Sequence, residues 1–428
     1  MGVSTDQPET NRWATWLAPV LFAAFATAVF IRPYAGRAIH HGIGKTLRYI
    51  ADAETYSRTV IASNYFNDGF VRRGLGGTIA VLLSRDWDRS IWLFIAVSFV
   101  SLIVPLILIM RRLAARLTTG RTIYLGLILA LSPQTFFGWS RDPSRTDLLV
   151  GACLALSVLA WLRGQRALAL AVILLGLLAH ETAVVYGLPL LAAMGISDLR
   201  SGALHRDEAI RLAGAGLLGV AAVILLQMIF SAPPEITARN MLEQAPPLAG
   251  DPKHQLWRDI AIYMAVGGPR ALRTALCYNS QMAARYWPEF FGCLAVTTAY
   301  SVILPLRRHL PIAALVMWVP TIFMMVIAND TGRWLKLAVL DGWLIASFLL
   351  LRGEAAAQLS SRAMKLGAVL FSTLLAMGPT RHNNVNDVYG RLLLRLGYQD
   401  HAELSVWMDQ CDPGWRAIVY GGSAKGRP

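Results

Sequence analysis

Long apolar segments recur along this chain from Trp13 to Met377, and they constrain its fold more than any other feature. A helix needs about 20 apolar residues to cross the roughly 30 Å hydrocarbon core of a bilayer. The chain is 55% hydrophobic and only 15% charged, which is typical of membrane proteins and argues against a soluble enzyme. We therefore predict an all-α, polytopic transmembrane helical bundle of about eleven spans. The predicted spans are residues 13–32, 91–110, 122–139, 147–162, 167–180, 182–196, 211–230, 289–306, 311–328, 335–351 and 365–379.

The apolar block over residues 167–196 is too long for one span, and His180 and Glu181 interrupt it. The flanking segments, 163–166 and 197–206, are both basic. Basic residues in short loops favour the cytoplasmic side, so both segments lie there only if the chain crosses the membrane twice. We expect two helices joined at His180 and Glu181.

The same rule orients the whole chain. It places the N-terminus in the cytoplasm and puts two long segments, residues 33–90 and 231–288, on the external side. Residues 1–379 then form a transmembrane catalytic domain, and residues 380–428 form an external tail. Within the second external segment, residues 231–252 are predicted to be an irregular loop, and residues 253–266 an interfacial helix.

The topology makes one prediction about the four cysteines. Cys277 and Cys411 both fall outside, where the environment is oxidising, so we expect a disulfide between them. The cysteines form no CxxC motif or Cys/His cluster in the sequence, so neither zinc nor an iron–sulfur centre is indicated.

The formal net charge of +14 is explained by membrane lipids rather than by nucleic acid. Basic residues beside spans set topology and meet anionic headgroups. A nucleic-acid partner is not expected, because the sequence has no compact Lys/Arg-rich domain with interleaved aromatic residues.

Polar residues gather in the segments that this topology places outside. A charge at depth in the bilayer costs about 3 kcal/mol or more, so a chain with few charges has a use for those it collects at one face. The candidate site residues are Asp52, Glu54, Tyr56, Asp68, Arg72, Arg73, Asp142, Arg145, Asp147, His180, Glu181, Asp330 and Arg333.

Some of these residues have a purely structural alternative. Asp142 followed by Pro143 suits the N-cap and first turn of the fourth span. Residues 329–334 suit a turn, which leaves Arg333 as the residue to test. Asp341, two turns further along the tenth span, either faces the same cavity or is a structural aspartate with a partner.

The stretch "NDGFVRRG", residues 67–74, combines an acid, two arginines and a glycine-rich continuation, "GLGG". The guanidinium group binds phosphate oxygens through two parallel hydrogen bonds. Glycines without side chains let a ligand or a neighbouring helix approach the backbone. The pattern favours binding of a lipid-linked phosphate; the alternative is a loop whose arginines touch lipid headgroups.

With many helices, a large first external loop carrying acids and further polar residues on later external loops, the chain resembles the GT-C superfamily of integral-membrane glycosyltransferases. The resemblance extends over most of the chain and implies a polyprenyl-phosphate sugar donor used at the external face of a bacterial plasma membrane. It also implies that an acid of the first external loop, Asp52 or Asp68, is the general base. Many family members have two acids in close succession soon after the first span, whereas here Ala53 separates Asp52 from Glu54, so the choice stays open.

By the same resemblance, basic residues hold the departing lipid phosphate; they are Arg72, Arg73, Arg145 or Arg333. Glu181 and His180 are further catalytic candidates. The remaining acids and Tyr56 would support them: Glu54, Asp142, Asp147 and Asp330. No cofactor is required; a divalent metal is compatible with Asp52, Asp68 or Glu181, but no ligand spacing requires one. We predict that Asp68→Asn and Arg72→Ala each abolish glycan addition.

Three other functions stay open. A polysaccharide polymerase would use the same polyprenyl-linked substrates and the same external site. A transporter or flippase of lipid-linked substrates would place ionisable groups near the bilayer midplane. A membrane transferase of acyl or phospholipid headgroups would suit His180 beside Glu181.

Overall fold

The computed structural model describes residues 14–42, 59, 61–71, 73–84, 86–140, 143, 145–244, 252–327, 331–354, 358–377, 395 and 404–420. Within these residues the chain is helical and contains no β-strand. This confirms the all-α class. The extended pairing recorded among them is a single bridge between Gly69 and Ser231.

The helices follow the chain in one series, which we number α1 to α19. They are α1 (Ala14–His41), α2 (Tyr65–Asp68), α3 (Gly74–Leu83), α4 (Trp87–Ala114), α5 (Thr119–Leu131), α6 (Phe136–Ser140), α7 (Asp147–Leu162), α8 (Arg166–Ala179), α9 (Thr182–Arg200), α10 (Arg206–Phe230), α11 (Pro234–Gln244), α12 (Pro252–Val266), α13 (Gly268–Ile303), α14 (Leu310–Ala313), α15 (Val319–Ile327), α16 (Thr331–Arg352), α17 (Ser361–Met377), α18 (Leu404–Cys411) and α19 (Trp415–Tyr420). A π-helical turn, Ala314–Trp318, joins α14 to α15.

Six of the helical segments in the described part of the chain are long and apolar enough to cross a membrane. They are Thr15–His41, Arg89–Ala114, Thr182–Arg200, Arg206–Phe230, Leu310–Ile327 and Arg333–Arg352. Shorter apolar helices accompany them, including α7 and α8. The protein is therefore a helical membrane protein, while the count of eleven spans stays a prediction.

The two helices expected on either side of His180 and Glu181 are present as α8 and α9. The basic ends of this hairpin meet at one end of the bundle. The Arg166 Nη2 atom lies 3.4 Å from Asp198 Oδ2, and Arg352 Nη2 lies 2.8 Å from Asp198 Oδ1. The segments predicted to share the cytoplasmic side therefore share one end of the structure.

The third predicted span is interrupted, contrary to expectation. Helix α5 ends at Leu131 and α6 begins at Phe136, so Ser132 and Pro133 break what we predicted as one helix over residues 122–139. Proline lacks a backbone N–H and disfavours helical geometry at the residue before it. The break is stabilised inside the bundle, where the Ser132 and Tyr300 hydroxyls lie 2.6 Å apart.

One expectation about the segments predicted to be external is wrong, and one helix begins earlier than expected. The segment predicted as an irregular loop contains α11, because the residues between its prolines are mostly good helix formers and Pro234 occupies the first helical turn. Helix α13 begins at Gly268, well before the apolar run at 289–306 that we used to place it. Helix α12 is present where an interfacial helix was predicted.

Helix α16 is the central helix of the bundle. Every residue of this helix from 333 to 351 is buried. A helix that is apolar on all sides lies either among other helices or in lipid. Helix α10 is the opposite case: little of its apolar stretch is buried within the protein, as expected for a helix facing lipid.

The segments predicted to be external pack into a small second core. Its buried apolar residues are Ala62, Ala238, Met241, Ile260, Ile262, Tyr263, Ala265, Ala271, Met408, Trp415 and Val419. The predicted disulfide between Cys277 and Cys411 is confirmed, and it ties α18 to α13. Beside it, Arg270 Nε donates a hydrogen bond to Asp412 Oδ2 over 2.6 Å.

Candidate functional site

Seven of the predicted site residues lie in the described part of the chain. They are Asp68, Arg73, Arg145, Asp147, His180, Glu181 and Arg333. The other six lie outside the described residues: Asp52, Glu54, Tyr56, Arg72, Asp142 and Asp330.

Asp68 ends the short helix α2, and local sequence explains its geometry. Asn64 caps this helix, since its side-chain oxygen accepts hydrogen bonds from the backbone N–H groups of Phe66 and Asn67. The backbone N–H of Asn64 in turn donates to Asp68 Oδ2 over 2.9 Å. The Asp68 side chain is therefore oriented by its own helix, and its residue is fully buried.

The other oxygen of Asp68 is held from far away in the chain. Asn240 Nδ2, in α11, donates to Asp68 Oδ1 over 2.8 Å. One turn further along α11, Gln244 Oε1 lies 3.5 Å from Asn64 Nδ2. Polar side chains of α11 therefore contact both the Asp68 carboxylate and the capping residue Asn64. Asn240 was missed in the sequence analysis, because no local pattern links it to a residue 172 positions earlier.

Burial raises the pKa of the Asp68 carboxyl above its usual value, while the hydrogen bonds from Asn240 and Asn64 partly offset that shift. A carboxylate with a raised pKa is a stronger base than an exposed one. Asp68 is thus suited to accept a proton.

The backbone around Asp68 is joined to the end of α10. Ala232 N donates to the Asp68 carbonyl oxygen over 2.8 Å, and Phe70 N donates to the Phe230 carbonyl over 3.0 Å. Gly69 lies between them at φ +67°, and a Cβ there would fall 2.3 Å from the Phe230 oxygen. The first and second segments predicted to be external are therefore in direct contact at this point, and Gly69 is required for this contact.

Arg73 and Glu181 form the first ion pair of the site. Arg73 Nε donates to Glu181 Oε2 over 3.0 Å, and Arg73 Nη2 donates to Oε1. Arg73 has φ 63°, and it is the one non-glycine residue with a positive φ in the described chain. Such a conformation costs of the order of 1 kcal/mol or more in a non-glycine residue and persists where surrounding contacts hold it. Here the bidentate pair is such a contact.

His180 lies beside this pair. Its Nδ1 is 3.6 Å from Glu181 Oε2 and accepts a hydrogen bond from the Thr182 backbone N–H over 3.2 Å. Because a backbone N–H can only donate, Nδ1 acts as the acceptor in this hydrogen bond.

Arg333 and Asp147 form the second ion pair. Arg333 Nε lies 2.7 Å and 2.8 Å from the two carboxylate oxygens, and Arg333 Nη2 lies 2.6 Å from Oδ1. Both side chains are buried, and the guanidinium carbon is 5.1 Å from the Trp334 ring centroid. This pair links the start of α16 to the first turn of α7.

The structural alternative for residues 142–143, in which they form the N-cap and first turn of the fourth span, is wrong. Helix α7 begins at Asp147 with Thr146 at its N-cap, so Pro143 does not occupy the first turn of that helix. Arg145, half-buried, immediately precedes that cap.

Lys336 is a buried basic residue that the sequence analysis missed. It follows Arg333 by one turn of α16, and its residue is 3% exposed. Its Cε lies against Gly138 of α6, where a Cβ would be 3.0 Å away. Its position three residues after a candidate arginine at the start of a span was a usable signal.

The glycines after Arg73 accommodate neighbouring protein. A Cβ on Gly77 would lie 2.0 Å from the Ser63 carbonyl oxygen, and one on Gly74 would lie 2.4 Å from the Tyr65 ring. A Cβ on Gly76 would lie 2.9 Å from the Thr146 methyl group. Neighbouring chain segments therefore approach the backbone closely at these glycines. This is one of the two uses that we considered for "GLGG".

These contacts assemble the site at one end of the bundle. Helix α3 touches Thr146, the residue before Asp147, and its preceding residue Arg73 pairs with Glu181. The acids and guanidinium groups form two ion pairs, with Asp68 held separately under α11. No group of three or more His, Cys, Asp or Glu side chains suited to a metal ion occurs in the described part of the chain.

Comparison with known proteins gave no match. No protein-family model, no curated protein and no solved structure matches this chain.

Proposed function

We propose that this protein is a membrane glycosyltransferase that moves a sugar from a polyprenyl-phosphate donor to a cell-envelope glycan or lipid on the external face of a bacterial plasma membrane. The observation that carries this proposal is the buried Asp68 carboxylate, held by Asn64 and Asn240 at the same end of the bundle as two guanidinium groups. A proton acceptor and phosphate-binding groups are the two functions that the reaction requires.

In the proposed reaction Asp68 takes the proton of the acceptor hydroxyl. The hydroxyl oxygen forms a bond to the anomeric carbon, and the bond from that carbon to the phosphate oxygen breaks. The electron pair leaves with the polyprenyl phosphate, which gains negative charge as it departs. No redox step or nucleotide is needed, because the donor is already an activated phosphate ester.

Arg73 and Arg333 would stabilise that charge. A guanidinium has five N–H donors, and a bidentate carboxylate takes two of them, so an arginine held by an acid can still donate to phosphate. Glu181 and Asp147 would then fix the orientation of these arginines rather than react themselves. Lys336, one turn from Arg333, adds a further positive charge to the same end of α16.

The partners follow from this chemistry. The donor's polyprenyl chain would lie in lipid against the exposed apolar helices, and its phosphate would lie at the level of the two ion pairs. Since Asp68 is fully buried, an acceptor reaches it only when α11 moves away from α2. A polysaccharide polymerase acting on polyprenyl-linked repeats would use the same groups.

The test is transfer by the purified protein in lipid nanodiscs. The donors are polyprenyl phosphates carrying labelled glucose, galactose, mannose or arabinose, and the acceptor is a glycolipid fraction from the native membrane. We expect Asp68→Asn to reduce release of polyprenyl phosphate by about 100-fold or more, the usual size of a general-base effect.

Asp86→Asn is the matched control. Asp86 is also an aspartate of the first external segment that accepts a backbone hydrogen bond, from Arg89 N over 2.8 Å, but it is exposed. Its substitution should leave transfer unchanged. Full activity of Asp68→Asn, or no release from any donor by the unaltered protein, would contradict the proposal.

A further inference from the structure

Asp341 lies in the middle of the central helix and takes no part in the site described above. It is ten residues from Thr331 and eleven from Arg352, the two ends of α16. At about 1.5 Å per residue it is about 15 Å from either end, which is half the thickness of a bilayer core. Its residue is fully buried.

The carboxylate of Asp341 receives no hydrogen bond from the described part of the protein, at either oxygen. Other deeply buried acids differ in this respect: Asp147 is paired with Arg333 and Asp198 with Arg352, while Asp68 accepts hydrogen bonds from Asn64 and Asn240. An ionised carboxylate without a partner in a low-dielectric interior is strongly unfavourable. Its charge must therefore be neutralised by something other than a neighbouring basic side chain.

The segments that pack against α16 carry hydroxyl side chains and include a locally irregular backbone. Tyr186 of α9 lies within electrostatic range of Asp341. The Tyr186 hydroxyl donates to the Trp334 carbonyl over 3.0 Å and lies 3.5 Å from the Thr321 hydroxyl. Gly342, the next residue, packs on Met317 of the π-helical turn. Such turns are frequent at functional sites.

We propose that Asp341 is a binding site for a small monovalent cation, either a proton or a sodium ion, within the core of the helix bundle. One carboxylate supplies one negative charge, which a single monovalent cation balances. Divalent cations prefer several carboxylates, and the described residues hold no cluster of three acids. This site does not depend on the proposed glycosyl transfer.

Other ionisable groups lie around Tyr186 or further along α16 itself. Tyr186 is in range of Cys293 of α13 and of Asp147, whose charge Arg333 balances. Lys336 lies five residues earlier on α16 itself. None of these groups is replaced in the test variant, so a change caused by Asp341→Asn is assigned to Asp341.

The first measurement is the melting temperature of the full-length protein in nanodiscs with sodium or choline chloride at equal ionic strength. A bound sodium ion should raise the melting temperature by about 2 °C or more at concentrations well above its Kd. Asp341→Asn keeps the size of the side chain and removes its charge, so its melting temperature should not respond to sodium.

The second measurement uses the unaltered protein, so it does not depend on whether the variant folds. Dicyclohexylcarbodiimide reacts with protonated carboxyl groups in apolar surroundings, and mass spectrometry locates the product. Labelling of Asp341 that sodium prevents identifies a sodium site; labelling that sodium does not affect identifies a proton site. The exposed Asp86 serves as an internal control and should not be labelled.

The proposal is overturned if sodium changes neither the melting temperature nor the labelling and Asp341 stays unlabelled. In that case ordered water alone would satisfy the carboxylate.

Discussion

Arg333 and Asp147, 186 residues apart, form a buried ion pair in which Arg333 Nε lies within 2.8 Å of both carboxylate oxygens. The pair joins α16 to α7 at the end of the bundle where the other candidate site residues lie. Removing one member of a buried pair leaves the other charge unpaired, which is more damaging than removing both.

We therefore expect Arg333→Ala to lower the free energy of unfolding by about 3 kcal/mol. Adding Asp147→Asn should recover part of that loss, because no unpaired charge remains. Chemical denaturation in detergent measures both changes. Arg416→Ala is the control: its pair with Asp409 is about half exposed, so its loss should change stability by less than about 1 kcal/mol. Equal effects of the two arginine substitutions would contradict the assignment.

The activity of the protein should depend on pH through Asp68. Its pKa is raised by burial, and it must be deprotonated to act as a base. We expect kcat/KM to fall as the pH drops through this raised pKa, so the acid limb should lie above the range of an ordinary aspartate. Asn240→Leu removes a hydrogen bond that stabilises the carboxylate and should move the limb to still higher pH. If Asn240→Leu does not shift the acid limb of the kcat/KM profile, a group other than Asp68 is the base.

Gly77 should tolerate no side chain. A Cβ there would lie 2.0 Å from the Ser63 carbonyl oxygen and 2.3 Å from that of Ile61, and backbone atoms cannot move aside easily. We expect Gly77→Ala to destabilise the protein by about 3 kcal/mol or to prevent its accumulation. Gly120 is at a helical position where an added Cβ would meet no other part of the protein within 4 Å. Gly120→Ala should therefore be neutral or slightly stabilising. Comparison of monodisperse yield and melting temperature distinguishes the two.

The disulfide between Cys277 and Cys411 should stabilise the second core. It closes a loop of 134 residues, for which chain-entropy models give about 4 to 5 kcal/mol. The double substitution to serine should lower the melting temperature and expose α18 and α19 to protease before the transmembrane helices. The buried Cys153 supplies a control, since Cys153→Ser breaks no covalent bond. An unchanged protease pattern in the double variant would show that packing alone holds this segment.

Local features of the fold could be predicted from sequence because they depend on local interactions. A helix was predicted over 147–162, and a helix is observed at Asp147–Leu162. The hairpin at His180 and Glu181 followed from the length of its apolar arms and the charge at their ends. The helix α11 was missed because prolines at both ends were given more weight than the helix-forming residues between them.

The composition of the site was also partly visible in the sequence, but its pairings were not. Charged residues outside apolar spans could be recognised one by one. That Arg73 pairs with Glu181 and Arg333 with Asp147 could not, since each arginine had several acids within reach of the same end. Asn240 and Lys336 gave weak or no local signals and became relevant only through contacts with α2 and α6.

The sequence by itself determined that this is a helical membrane protein, where most of its helices run and that Cys277 and Cys411 can meet. These properties follow from the thickness of the bilayer, from backbone hydrogen bonding within each helix and from the sorting of charge across the membrane. Only the tertiary structure decided which acid holds which arginine, what covers Asp68 and that Asp341 is buried without a side-chain partner in the described chain. Those outcomes depend on how helices far apart in the chain pack together, which no local pattern specifies.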